Sequence, residues 1–167
     1  MEEEFTYVGK IVNTHGIKGE IRILSDFEYK DKVFVPKMKL YIGRKKEEVV
    51  IKTYRHHKNF EMITMEGYTD INQVLRFKGL YVYVKRIDLS LAEDEYLDQD
   101  YIGLGVYYNR ELQGTIIDIR SGALGKKLFV VETLTKKVLV PFEKGLIKEL
   151  NWAEKKLEFI PVVGLFE

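Results

Sequence analysis

Apolar and polar residues alternate through most of this chain, and the alternation is tightest between positions 8 and 24. Residues 8–12 and 20–24 read as two short strands. In the second, Ile21 and Ile23 form a dry face and Glu20 and Arg22 a wet one. Between them lies the turn Asn13-Thr14-His15-Gly16-Ile17-Lys18-Gly19. Its two glycines suit backbone angles that a Cβ tolerates poorly, so a tight loop can stand at a barrel rim and present His15 and Lys18 to solvent.

The same period of two predicts strands over 38–42, 48–57, 60–65 and 80–84, with turns at Gly43-Arg44-Lys45-Lys46 and Lys58-Asn59. Residues 25–32 are polar and aperiodic and read as a loop, and Pro36 interrupts any regular element before it. The period changes once in this half. Asp70 followed by Gln73 has the spacing of a capping box, and Ile71, Val74 and Leu75 then share one face of a helix that Gly79 ends. Beyond residue 99, short strands recur at 102–108, 113–120, 127–132, 138–141 and 156–160, with one helical turn expected over 145–150. Evenly spaced strands with so little helix favour small closed or nearly closed barrels, because closure removes exposed edges. The expected class is therefore mostly all-β: two small barrels, 1–86 and 100–167, joined by an acidic linker at 87–99.

Composition agrees with that picture. Apolar residues make up 46% of the 167, and eleven Tyr and nine Phe favour strands. No apolar run approaches the length of a membrane span, the first residues lack the order of a secretion signal, and there is no cysteine. A cytoplasmic protein with no membrane association is expected. The net charge of +1 hides an uneven distribution: residues 1–86 carry 17 Lys and Arg against 12 Asp and Glu, and residues 87–167 carry 10 against 14. A basic half followed by an acidic half suggests one surface for phosphate and another for a basic protein; chance variation among solvated faces gives the same numbers.

Catalytic and metal chemistry find little purchase. His56 and His57 are neighbours on an expected strand, so they point to opposite faces and cannot share a metal, and His15 has no ligand partner at suitable spacing. No Cys nucleophile or G-x-S-x-G elbow is present. Gly122-Ala123-Leu124-Gly125-Lys126-Lys127 suggests a phosphate loop, but Arg120 and Lys127 stand where that motif needs Gly and Ser or Thr, so a hairpin turn is expected. No enzyme activity, cofactor or metal is expected. Nucleic-acid binding has more support: Lys10, Lys18, Arg22, Arg44, Lys45, Lys46, Arg55 and Lys58 gather in the first half, with Tyr54, Phe60 and Tyr68 as stacking surfaces. A charged surface over core aromatics would read alike.

One stretch is more specific. Gly9-Lys10-Ile11-Val12-x-Thr14-His15-Gly16-x-Lys18-Gly19-Glu20 resembles the N-terminal motif of the RimM family of small-subunit maturation factors. So do His56-His57-Lys58, Met65-Glu66-Gly67-Tyr68-Thr69-Asp70-Ile71 and Gly79-Leu80-Tyr81-Val82 further on. Residues 95–104, Val140-Pro141-Phe142 and Pro161-Val162-Val163-Gly164-Leu165 resemble the family's PRC-barrel domain, so the likeness runs in order through nearly the whole chain. The resemblance implies a translation-factor-like six-stranded barrel followed by a PRC-barrel. It implies a non-catalytic assembly factor, expected to be a monomer, that binds the immature small ribosomal subunit in its head region. The expected partners are ribosomal protein S-nineteen and 16S rRNA. Tyr96, Leu97, Asp98 and Asp100 are the expected ribosomal-protein contacts; His15, Lys18, Arg22, Arg55 and Lys58 are the rRNA-facing candidates. The family has two neighbouring tyrosines before its Asp-x-Ile-Gly segment, and here Leu97 takes the second place, without the hydroxyl and flat ring of a good anchor. The rival readings are a PRC-barrel adaptor or RNA-binding module outside ribosome assembly, and a flavin-binding split barrel.

Overall fold

Outward and inward side chains alternate along most strands, so each strand buries one face, and the chain gathers into two compact units, Met1–Glu95 and Tyr96–Glu167. The computed structural model describes residues 4–121, 126–162, 164 and 166.

In the first unit β1 (Phe5–His15), β2 (Glu20–Leu24), β3 (Lys39–Ile42), β4 (Glu47–His57), β5 (Phe60–Met65) and β6 (Tyr81–Lys85) close a six-stranded antiparallel barrel in the order β1-β2-β5-β4-β3-β6. Val8, Ile11, Ile21, Ile23, Ile63 and Val82 fill it. The register of β1 shifts on both sides, against β2 between Ile11 and Asn13 and against β6 between Tyr7 and Gly9. Gly9 is needed there because a Cβ would lie 2.7 Å from the Leu24 carbonyl oxygen.

Two short helices differ from expectation. Residues 25–32, read as a loop, run into α1 (Lys30–Val33), whose Val33 is buried. The helix after Asp70 has the expected capping: Asn72 N–H donates to Asp70 Oδ1 at 2.8 Å, and Asp70 N–H donates to Gln73 Oε1 at 3.1 Å. It is only α2 (Ile71–Val74), after which the chain tightens into a 3-10 turn, Leu75–Phe77. That tighter winding rotates the apolar face, so Leu75 is 49% exposed and Phe77 is buried in its stead.

Residues 87–95, expected to belong to a linker, lie within the first compact unit. Leu89 is buried, and Lys32 Nζ of α1 reaches Glu95 Oε1 at 3.0 Å and the Ser90 carbonyl oxygen at 3.3 Å. This changes the charge account. The stretch carries Asp88, Glu93, Asp94 and Glu95 and no basic residue, so Met1–Glu95 holds 17 Lys and Arg against 16 Asp and Glu. Tyr96–Glu167 holds 10 of each. The contrast of a basic and an acidic half reduces to one local acidic segment.

The second unit contains α3 (Asp98–Tyr101), β7 (Gly105–Tyr108), β8 (Glu111–Ser121), β9 (Lys127–Glu132), β10 (Lys137–Pro141), β11 (Ile147–Asn151) and β12 (Lys156–Phe159). They form one six-stranded sheet, β10-β9-β8-β7-β12-β11, antiparallel except for the β12–β7 pair. Its core joins Val106, Ile116, Phe129, Val131, Leu157 and Phe159. Residues 145–150, expected as a helical turn, are mostly strand β11, preceded by a 3-10 turn at Lys144–Leu146. A register shift between Ile147 and Glu149 is the reason: it breaks the period of two, and Leu146, Ile147 and Leu150 fall at helical spacing by default. Gly122, Ala123, Leu124 and Gly125 lie outside the described residues, and with them most of the phosphate-loop candidate.

Candidate functional site

The barrel's outer surface divides into two faces of three strands, and most of the basic candidates share one of them. Arg22 on β2 and Arg55 on β4 both pair in register with Met62 on the intervening β5, so their side chains leave the same outer face. His15 lies opposite Glu20 across the β1–β2 hairpin, and His57 opposite Phe60 at the end of β4 and β5. Lys58 occupies the β4–β5 turn with φ 57°.

Contacts within this face hold it in place. Arg55 donates to Glu20 through both Nε (2.9 Å) and a terminal nitrogen (2.7 Å), the forked geometry that fixes a guanidinium best. A terminal nitrogen of Arg22 donates to His15 Nδ1 at 2.7 Å, so that nitrogen must present a lone pair and any ring proton sits on Nε2. The Arg22 guanidinium also lies 5.8 Å from the Phe60 ring centroid. The imidazoles of His15 and His57 are 6.5 Å apart. The hydrogen bond from Arg55 holds the Glu20 carboxyl below its ordinary range, aided by the charge of Arg55. His57 is shifted downward as well, which for a base disfavours the charged form. Desolvation, then Arg55, Lys58, His15 and Arg22, lower its pKa, so it is mostly neutral at pH 7 and gains charge only in acid.

The turn after His15 is tied to α2: Ile71 N–H donates to the Ile17 carbonyl at 2.9 Å. It frames an open groove of about 390 Å³ lined by His15, Gly16, Ile17, Lys18, Glu20 and Thr64. The structure thus brings His15, Arg22 and Arg55 together, with Lys18 and Lys58 on the adjoining turns. Such a face can neutralise phosphates on its arginines and lysines while Glu20 limits its net charge.

The second-unit candidates are arranged otherwise. Tyr96 is half-buried with its ring against Trp152, centroids 4.3 Å apart, and Tyr101 adds a third ring 5.2 Å from Trp152. Asp98 pairs with Lys127 Nζ at 2.6 Å. Asp100 accepts from the Leu97 N–H at 2.9 Å, which fixes the start of α3. Leu97 itself is only 1% exposed, so its side chain faces inward and is no surface contact in this structure. In the acidic segment that ends the first unit, Asp88, Glu93 and Asp94 are exposed.

Residues 6–89 match the RimM N-terminal domain, and residues 98–165 match the RimM PRC barrel domain. The chain belongs to the RimM family. Ribosome maturation factor RimM of Staphylococcus haemolyticus is 37% identical to it over 96% of this chain and 98% of that protein. The corresponding factor of an Exiguobacterium species is 30% identical over 98% of each. A crystal structure of a 16S ribosomal RNA processing protein RimM from Pseudomonas aeruginosa aligns with 95% of this chain and 98% of its own, at 18% identity and a TM-score of 0.47. No helix among the described residues is long and apolar enough to cross a membrane.

Sequence reasoning found the cations of this face but missed the groups that position them. Glu20 was legible only as a wet strand residue. Glu61, 2% exposed, accepts from the Tyr54 hydroxyl at 2.9 Å and lies 2.8 Å from His56 Nδ1. Nothing in the local sequence marks it, since its partners stand on the neighbouring strand.

Proposed function

We propose that this protein is a cytoplasmic, monomeric maturation factor of the small ribosomal subunit that acts by binding, without making or breaking covalent bonds. It engages the unfinished head region, promotes processing of 16S rRNA and leaves the mature particle. The observation that carries this reading is the match of both units, in order, to the two domains of one family whose named members are ribosome maturation factors.

The outer face bearing His15, Arg22 and Arg55, with Lys18 and Lys58 beside it, meets rRNA phosphates. Its bidentate pair and its His15–Arg22 contact are made before RNA arrives, which lowers the ordering cost of binding. The segment around Tyr96 meets ribosomal protein S-nineteen. There Tyr96 and Asp98 supply the contact, and Asp100 and Leu97 set the shape of α3.

Co-sedimentation with precursor and mature small subunits across a range of salt tests this. Binding to precursors alone, falling steeply with salt, is expected, and Arg55→Gln with Lys58→Gln should flatten the slope by about two phosphate equivalents. Tyr96→Ala should weaken capture of the ribosomal protein. Equal binding to mature and precursor particles, or a deletion strain with normal precursor rRNA, would refute the reading.

A further inference from the structure

The barrel's other outer face, formed by β1, β6 and β3, carries aromatic rings where the phosphate-facing side carries arginines. Along β1 the side chains of Thr6 and Val8 point inward and Phe5 and Tyr7 outward; beyond the register shift at Gly9, Lys10 points outward. On β6, Val82 and Val84 are buried, which sends Tyr81, Tyr83 and Lys85 to the outside. The ladder sets Tyr7 beside Tyr83, Lys10 beside Tyr81, and Tyr83 beside Tyr41 of β3.

The rings are mutually buttressed and still open. Tyr7 meets Tyr81 edge-on at 5.6 Å and Tyr83 at 6.1 Å, while Phe5 meets Tyr41 at 5.2 Å. Tyr7 is 48% and Tyr81 50% exposed, unusual for large aromatics held in a barrel wall. Ammonium groups are interleaved with them. Lys46 Nζ, from the β3–β4 turn, lies 4.0 Å from the Tyr83 centroid, Lys85 Nζ 5.0 Å from Tyr41 and Lys10 Nζ 5.9 Å from Tyr81. Two carboxylates touch these rings: Asp26 acts on Tyr7, and Glu48 accepts from the Tyr41 hydroxyl at 3.4 Å.

We propose that this face is a platform for single-stranded RNA, with bases stacking on Tyr7 and Tyr81 and phosphates taken by Lys10, Lys46 and Lys85. A protein-binding patch concentrates its aromatics at a dry centre and its charges at the rim. Here cations stand among the rings, the arrangement that matches a ligand whose π-faces and negative charges alternate along one backbone. An exposed ammonium resting on a ring is weakly held, so the Lys10 stem can release its ring as a base arrives and turn to the adjacent phosphate. A duplex offers the phosphates without free base faces and gains nothing from the rings. The inference needs only this face and not the ribosomal reading above.

Fluorescence anisotropy of the full chain with a labelled oligouridine strand tests it, with an abasic strand of equal length and charge and a duplex RNA as competitors. The base-bearing strand should bind more tightly than both. Tyr7→Ala with Tyr81→Ala should weaken it by about tenfold or more, since each stacked base contributes separately. Tyr7→Ile with Tyr81→Ile keeps apolar area and strand preference and should weaken it similarly, which separates ring loss from misfolding. Lys10→Gln, Lys46→Gln and Lys85→Gln together should reduce the salt slope by about two, near 0.7 per phosphate on a single strand. Equal binding of the abasic strand, preference for the duplex, or loss only with Arg55→Gln and Lys58→Gln on the opposite face would overturn the proposal. A polyglutamate of equal charge displacing the RNA equally well would overturn it too.

Discussion

Glu61 shows how much of the first barrel's chemistry is set by single side chains. Its carboxylate is buried with the Tyr54 hydroxyl donating to it, and burial together with that neighbour pushes the Tyr54 phenol up to about 12. The folded-state pKa lies above the unfolded value, so the contribution is fully present below pH 10 and is lost as pH rises through about 12. Tyr54→Phe should therefore narrow the loss of thermal stability between pH 9 and pH 11.5, roughly the window set by those two values. In difference titration at 295 nm the phenol removed should be the one ionising near 12; a difference spectrum with its midpoint near the ordinary value of about 10 would refute the assignment. At this scale the sequence was half legible. His15 and Lys18 could be placed on a wet turn because two glycines and a change of period mark it. The partners of Arg55 and His56 could not, because Glu20 is 35 residues away and Glu61 reaches His56 across a hairpin that alternation cannot pair. Leu97 was read as a contact because it replaces a tyrosine, yet burial is a property of what surrounds a residue.

Among the elements, the turn between β1 and β2 bears most on the candidate site, since it sets the angle of His15 and Lys18. Gly16 and Gly19 both have positive φ, 76° and 89°, but their surroundings differ. A Cβ on Gly16 would meet nothing within 4 Å, whereas one on Gly19 would lie 3.3 Å from the backbone nitrogen and oxygen of Asp70. Asp70 is fixed by the cap it makes and by the bond from Ile71 to Ile17, so it has little room to yield. Gly16→Ala should cost about 1 kcal/mol, the price of a left-handed residue alone. Gly19→Ala should cost about 2–3 kcal/mol and also weaken RNA binding, because the turn must move. Paired melting curves check this, and equal losses for the two variants would show that the contact with Asp70 does not constrain the turn. The sequence signalled this element and the α2 cap through residue types with few other uses. It misread β11 and carried α2 too far for the opposite reason: a register shift and a 3-10 turn both alter the period from which elements are read.

For the molecule as a whole, the halves differ less in charge than in what their cores contain. With Asp88, Glu93, Asp94 and Glu95 counted in the first unit, neither unit departs far from neutrality, and binding must depend on local faces. The cores are separable by chemistry. The first unit buries mostly branched aliphatics, with Phe34 and Phe77 apart from one another, while the second unit gathers its rings in one cluster: Phe129 on Phe142 at 4.3 Å, Tyr101 against both, and Trp152 beside Tyr101 and Tyr96. Trp152 is the only tryptophan, so its fluorescence reports on the second unit alone. Phe129 has no exposed surface and lies at the centre of that ring cluster. Phe129→Ala should cost about 3–5 kcal/mol, a large part of what a small domain has. With a urea slope of about 1–3 kcal/mol per molar, the tryptophan-detected midpoint should fall by at least about 1 M. Each unit has a core of its own, so amide protection at Ile11 and Ile21 in the first barrel should stay unchanged in the same variant. Loss of that protection in step with the tryptophan signal would show that the two units unfold as one, and that contacts outside the two cores carry a large share of the stability.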